Sequence, residues 1–181
     1  QERFQPIRQI RSFTDIPILL LTTSEDKFDS IVALELGADE VLSKPILPRE
    51  VLARIRAIKR RMAFSEQLTE QQNGTPIRSY GDITLNLDTY TTLRADQRVK
   101  LTTLEFLLLF ELLKNSGKVV SRQEFADKVL NRKLSHLDRS IDVHVSSLRR
   151  KLGKHENGEE RIKSIRGVGY LYISQVDHKL K

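Results

Sequence analysis

Residues 138–153 read DRSIDVHVSSLRRKLG, and a short distance on residues 162–173 read IKSIRGVGYLYI. In the first stretch Val145, Leu148 and Leu152 all fall within about 40° of Ile141 on a helical wheel, so the four form a stripe for burial. The spacing predicts a helix from about Asp138 to Leu152, closed by Gly153. Its opposite side carries Arg139, Val143, Ser146, Ser147 and Arg150, with His144 and Arg149 on the flanks. Such a face suits a helix entering the DNA major groove. Arginines there bond guanine or phosphate, hydroxyls add little bulk, and a valine can meet a thymine methyl. The same wheel also describes a solvated face with one valine on it. The second stretch favours DNA, because it reads as a β-hairpin that puts Lys163, Arg166 and the tip Gly167-Val168-Gly169-Tyr170 on a narrow projection. Cations and an aromatic hydroxyl on such a finger fit a minor groove or phosphate backbone, and the glycines also serve the turn itself.

Working upstream, two capping boxes announce two more helices: Thr102 with Glu105 before Thr103–Lys114, and Ser121 with Glu124 before a helix running to Val129. Before them, 83–87, 90–93 and 99–101 alternate in hydrophobicity and are separated by turn residues such as Ala95-Asp96, as in an antiparallel meander. A meander, three helices and a hairpin make residues 77–181 an α+β winged helix-turn-helix domain. Residues 62–76, MAFSEQLTEQQNGTP, lose periodicity and read as a linker, with its first residues also able to extend the helix before it. Residues 1–61 alternate differently: a helix within 1–12, an apolar strand at Ile18–Leu21, a helix stopped by Gly37, a strand at Val41-Leu42, and a helix from about Pro48 to Arg61. That order is part of an α/β doubly wound parallel sheet.

The chain's 181 residues include 31 Lys+Arg and 24 Asp+Glu. Residues 1–61 hold 11 basic and 9 acidic side chains and residues 77–181 hold 20 and 13, so the net +7 lies in the C-terminal domain and points to a polyanion. With 39% hydrophobic residues the chain can bury a core, and without cysteine it has no disulfide, thiolate metal site or cysteine nucleophile. The longest apolar runs fall far short of the roughly 20 residues of a membrane span. A soluble, cytoplasmic protein without a membrane partner or secretory leader is expected. The first residue is Gln1 rather than Met, as a fragment or trimmed product would show. His136, His144, His155 and His178 are spaced by 8, 11 and 23, which does not place two on one helical face with a further ligand, so no metal is expected. No Gly-rich phosphate loop follows Leu21, which argues against an enzyme of the doubly wound type.

Four linked motifs carry a family resemblance: Leu101-Thr102 with Glu105-Phe106; Val120-Ser121-Arg122; Asp138-Arg139 with Asp142-Val143-His144-Val145 and Leu148-Arg149-Arg150-Lys151-Leu152; and Ile165-Arg166-Gly167-Val168-Gly169-Tyr170. Together they resemble the effector domain of OmpR/PhoB-type response regulators over about residues 77–174. The segment VLNRKLSHLDRSID is most similar to the Cpx-type envelope-stress branch. The resemblance implies that the third helix reads DNA (Arg139, Val143, His144, Ser146, Ser147, Arg149, Arg150) and that Lys163, Arg166, Gly167, Val168, Gly169 and Tyr170 form the wing. It also implies that the loop Asn131–Leu137 approaches RNA polymerase. Several relatives carry arginine where this chain has Ser146 and Ser147, so phosphate contact there should be thinner.

Residues 1–61 resemble the C-terminal half of a receiver (flavodoxin-like) domain. Thr22 and the Lys44 of Lys44-Pro45 match its phosphoryl-sensing switch pair, joined by a usually cis Lys-Pro peptide. A hydroxyl and an ammonium at adjacent strand ends suit an acyl phosphate. The family's magnesium pocket and phosphoacceptor lie upstream of the matching residues and Asp15 cannot replace them, so no cofactor is expected. Val41 stands where the family has its switch aromatic. By position, the dimer face would pair Asp39 with Arg61 and Glu40 with Arg54 across two protomers, while Glu50 meets only Ser30. The expectation is a sequence-specific DNA-binding transcription regulator of a two-component system, a homodimer on direct repeats of double-stranded DNA. RNA polymerase is an expected partner, and a sensor histidine kinase one only where the full receiver exists. The alternative is a phosphorylation-independent DNA-binding or protein-interaction remnant of such a regulator.

Overall fold

The computed structural model describes residues 2–24, 26–70, 76–134 and 138–174. The front domain opens with α1 (Gln5–Phe13), whose Pro6 sits in the first turn where its missing N–H costs nothing. Strand β1 (Leu19–Thr22), α2 (Lys27–Glu35), β2 (Glu40–Ser43) and α3 (Pro48–Glu70) follow. β1 and β2 pair in parallel with Thr22 opposite Ser43, so Thr22 and Lys44 stand at neighbouring strand ends, and the Lys44-Pro45 peptide is cis. Asp26 caps α2 by accepting from the Phe28 amide at 2.8 Å. The core here is small: Phe4, Ile7, Ala33 and Ala38, backed by Ile18, Leu20 and Val41. Leu52 and Ile55 of α3 lie exposed beside Leu21.

Helix α3 does not stop at Arg61. It runs to Glu70 through the first part of the expected linker, because Met62, Ala63, Glu66, Gln67 and Leu68 are all good helix formers. Residues 71–75 lie outside the described ones.

The effector domain begins with a four-strand antiparallel meander: β3 (Ile77–Tyr80), β4 (Ile83–Asn86), β5 (Thr91–Arg94) and β6 (Gln97–Val99). Ala95 and Asp96 both take positive φ between β5 and β6, the geometry of a tight hairpin turn. Both capping boxes close as the residue spacing requires, Thr102 with Glu105 at the start of α4 (Thr103–Lys114) and Ser121 with Glu124 at the start of α5 (Arg122–Phe125). α4 is buried on every side from Leu104 to Leu113, so it is the axis of the domain. α5 passes into a π-helical turn, Ala126–Leu130, that ends where Asn131 turns left-handed. α6 (Ser140–Leu152) follows, then β8 (Ile162–Ile165) and β9 (Gly169–Tyr172), which with β7 (Val119–Ser121) form a sheet in the order β7-β9-β8. Ile83, Leu85, Phe106, Leu109, Phe125, Ile141, Val145, Leu148, Leu152 and Tyr172 share one continuous core. At its edge Arg161, 2% exposed, forks onto Asp82 at 2.7 and 2.5 Å and ties the hairpin to the meander.

Candidate nucleic-acid interface

The stripe Ile141, Val145, Leu148 and Leu152 faces the effector core, as the wheel requires. Three anchors fix α6. Near its start, Asp142 accepts from Arg122 Nε at 2.8 Å, from Arg139 at 3.1 Å and, at short range, from the Tyr170 hydroxyl. Burial works against this carboxylate, but Tyr170, Arg139 and Arg122 outweigh it and hold its pKa below the ordinary range. In the second half, Arg149 donates to the Ile162 carbonyl and the Ser164 hydroxyl, both at 2.8 Å. At the end, Arg94 donates to the Leu152 carbonyl at 2.7 Å, placing a cation on the negative pole of the helix. Helix, hairpin and meander are therefore one body.

Arg139, Ser146 and Arg150 on α6, and Lys163, Arg166, Gly167 and Val168 on the hairpin, are exposed. Two expected wing contacts are placed elsewhere. Tyr170 is 3% exposed, its ring tilted against Phe125 and lying under the guanidinium groups of Arg122 and Arg149, while its hydroxyl faces Asp142. Burial first, then the Asp142 carboxylate, pushes the phenol up to about 12. Gly169 is buried because β9 pairs with β7 there, and a Cβ on it would lie 2.0 Å from the Val120 carbonyl. Both residues orient the wing rather than project from it. Arg149 likewise turns two of its donors to the hairpin.

Val143, His144 and Ser147 also differ from a bare groove-reading face. They point away from the effector core, yet they are 9%, 2% and 7% exposed, because α2 of the front domain packs against α6. His144 Nε2 lies 3.2 Å from the Asp39 carbonyl, and since a carbonyl only accepts, that nitrogen carries the proton. Around this contact Lys100 donates to the carbonyls of Arg11 and Ser12 at 2.9 and 3.1 Å, and Thr103 to that of Asp15 at 3.3 Å. A cavity of about 740 Å³ opens along the seam, with Arg11 and Glu35 on one wall and Arg98, Lys100, Arg150 and Lys151 on the other.

The expected dimer-face residues lie at the same seam. Asp39 is buried, bonded to Arg11 and to the Ile18 amide at 2.8 Å; burial raises its pKa although Arg11 opposes the shift. Glu40 is held by Arg54 at 3.2 Å within the front domain and by Arg132 of the effector domain at 3.1 Å. The Arg132 contact is ionic without hydrogen-bond alignment. Arg132 also pairs with Asp138 and donates to the Ser140 hydroxyl at 3.2 Å, so it joins Glu40 to the start of α6. Glu50 keeps a 3.8 Å contact with Arg54. The Arg61 side chain, His136, His178 and residues 135–137 of the expected polymerase loop lie outside the described residues.

Thr22 accepts from the Ser24 amide at 3.1 Å, and Lys44 is exposed beside it. Among the described residues no group of three or more His, Asp or Glu stands where it could hold a metal ion, and no helix is long and apolar enough to cross a membrane. Arg122, Asp142, Arg132 and Lys100 were not singled out as site residues from sequence. The first two were visible in the motifs, whereas the last two gain meaning only from the domain contact.

Comparison with known proteins places this architecture. A family model described as "Transcriptional regulatory protein, C terminal" matches residues 96–172. The transcriptional regulatory protein CpxR of Escherichia coli K12 is 40% identical over 168 residues, which is 93% of this chain and 72% of that protein. The solved DNA-binding domain of CpxR from E. coli matches with a TM-score of 0.53 at 37% identity, over 56% of this chain and 99% of that one. A RitR mutant matches across both domains with a TM-score of 0.71 at 26% identity, over 94% of this chain and 72% of that one.

Proposed function

The chain belongs to the OmpR/PhoB-type response regulators, the DNA-binding transcription regulators that include CpxR, and on that footing we propose that α6 and the β8–β9 hairpin are its DNA-reading surface. Arg150, Ser146 and Val143 take the base-reading role, with His144 and Ser147 beside them. Arg139, Lys163 and Arg166 take phosphates, and Gly167-Val168 form the tip that approaches the neighbouring groove. The observation that carries this is the joining of α6 to the hairpin through Arg149 and through the Tyr170–Asp142–Arg122 cluster. A basic helix and a basic finger held in fixed relation are what reading two adjacent grooves requires.

The proposal extends to partners. Two copies would sit on directly repeated half-sites and pair through Asp39, Glu40, Glu50, Arg54 and Arg61. The segment Asn131–Leu137 would face RNA polymerase, and Thr22 with Lys44 would sense a phosphoryl group delivered by a sensor kinase where a complete receiver is present. Selection of bound sites from a random duplex pool tests the DNA reading. A repeated motif should emerge, and retention of random sequence only would refute it. On the selected site Arg150→Ala should cost about 1–3 kcal/mol and relax one base position, whereas Arg166→Ala should weaken all sequences alike and lower the salt slope by about 1.

A further inference from the structure

The cavity of about 740 Å³ between the end of α2 and the β5–β6 hairpin is lined by charge that the fold leaves uneven. Its volume lies within the range of small-molecule sites, about 300–1,000 Å³. Six cations line it, and three of them are already engaged. Arg11 covers the negative end of α2 at the Gly37 carbonyl, 2.8 Å away, and pairs with Asp39. Arg94 does the same for α6 at the Leu152 carbonyl, and Lys151 pairs with Glu105 at 2.5 Å. The other three are not neutralised. Among the described residues Arg98 has neither a hydrogen-bond nor an ionic partner, Lys100 donates only to the Arg11 and Ser12 carbonyls, and Arg150 reaches only the Ser147 hydroxyl at 3.4 Å.

Two acids on the front-domain wall, Asp15 and Glu35, do not close the balance, because neither comes within ionic contact of these cations. Like charges left facing one cavity repel, and a ligand carrying several negative charges relieves that repulsion. We infer that this cavity is a binding site for a small polyphosphate, free or carried on a nucleoside, held by Arg98, Lys100 and Arg150. Guanidinium forks suit phosphate oxygens in bidentate fashion, and the ammonium adds a point charge between them. A single phosphate is too small to meet cations on both the hairpin and α6, whereas a chain of phosphates can extend from one to the other. Asp15 and Glu35 set its orientation by repelling it toward the effector wall. That leaves Leu36 and Val99, the apolar part of the lining, for whatever the phosphates carry. Of the three cations only Arg150 belongs also to the DNA-reading face, so the inference does not depend on that reading.

Calorimetric titration of the whole chain with inorganic triphosphate, and separately with a nucleoside triphosphate, tests this. Both should bind saturably at one site, more weakly as salt is raised. Arg98 is exposed and has no structural bond to lose, so Arg98→Ala folds and should weaken triphosphate binding about tenfold. Glu35→Gln removes a repelling charge from the opposite wall and should tighten binding about 2- to 5-fold. A gain of affinity on that change is not expected of any site away from the cavity. Tighter binding of the nucleoside form supports a carried group at Leu36 and Val99, and equal affinities support the phosphates alone as ligand. Failure of the wild-type chain to bind either compound overturns the proposal, as does Arg98→Ala binding as well as wild type. It is equally overturned if Arg166→Ala, at the hairpin tip outside the cavity, loses as much affinity as Arg98→Ala, because the phosphates then sit on the DNA-reading surface.

Discussion

Tyr170→Phe isolates one hydroxyl. The ring stays buried against Phe125 and beneath Arg122 and Arg149, so the apolar area removed from water on folding is unchanged. What is lost is the bond to Asp142 together with the long, weak one the hydroxyl accepts from Arg122 at 3.4 Å, and a hydrogen bond to a charged group contributes about 1.5–3 kcal/mol. Asp142 still has Arg122 at 2.8 Å and Arg139 at 3.1 Å, so its carboxylate is not left unsatisfied and the cost falls toward the lower end, about 1–2 kcal/mol. The elevated phenol pKa, about 12, agrees in direction, although burial causes more of that rise than the Asp142 bond does. Urea unfolding at pH 7 reads the cost as a lower midpoint at unchanged slope, roughly 0.5–1 M for a slope near 2 kcal/mol/M. The pH dependence carries a sign. A group whose folded pKa lies above its unfolded one stabilises fully below about pH 10, and that stability is lost as pH rises through 12. The gap between wild type and Tyr170→Phe should therefore hold at pH 9 and close between pH 10 and 12. Equal midpoints at pH 7 would show that the hydroxyl adds nothing and that the ring alone positions the wing.

Two further substitutions test the frame around the site. Gly169→Ala puts a methyl 2.0 Å from the Val120 carbonyl and 2.7 Å from the Ser121 Cα, both backbone, so β7 and β9 must part; a loss of about 2–4 kcal/mol in urea unfolding is expected, and a neutral result would mean the strands yield freely. Asp82→Asn leaves the Arg161 guanidinium buried without its counter-ion and should cost about 2–4 kcal/mol at pH 7, moderated by the partial exposure of Asp82. Because Arg161 holds the Asp82 carboxyl below its ordinary range, that stability is present above about pH 4 and fades below it. Melting at pH 7 and pH 3 checks this, since the difference between the proteins should shrink in acid.

What the residues announced, the chain forms wherever the signal is local. Thr102 and Ser121 cap as their Glu partners at the third position require, and Ala95-Asp96 turns where expected. Strand β3 was not anticipated because Ile77-Arg78-Ser79-Tyr80 alternates weakly, and β7 is only three residues long. The site was legible to the extent that one domain defines it. Arg139, Ser146, Arg150, Lys163 and Arg166 are exposed where a reading surface needs them. Tyr170 and Gly169 belong to a motif whose members serve two purposes, and only packing separates the tip from its support. For Val143, His144 and Ser147 a helical wheel identifies the side facing away from the core but not what covers that side. An apolar valine and an imidazole on that side are the sequence features that fit a covered surface.

Three anchors on a helix of 13 residues, near its first turn, in its second half and at its last carbonyl, leave it no freedom to roll or slide on its own. A helix held at one end could turn its side chains toward a ligand a few at a time, and such a protein would respond in proportion to stimulus. Here Val143, His144 and Ser147 can be uncovered only together, because the helix is tied to both the hairpin and the meander. Whatever uncovers one of the three uncovers the other two with it.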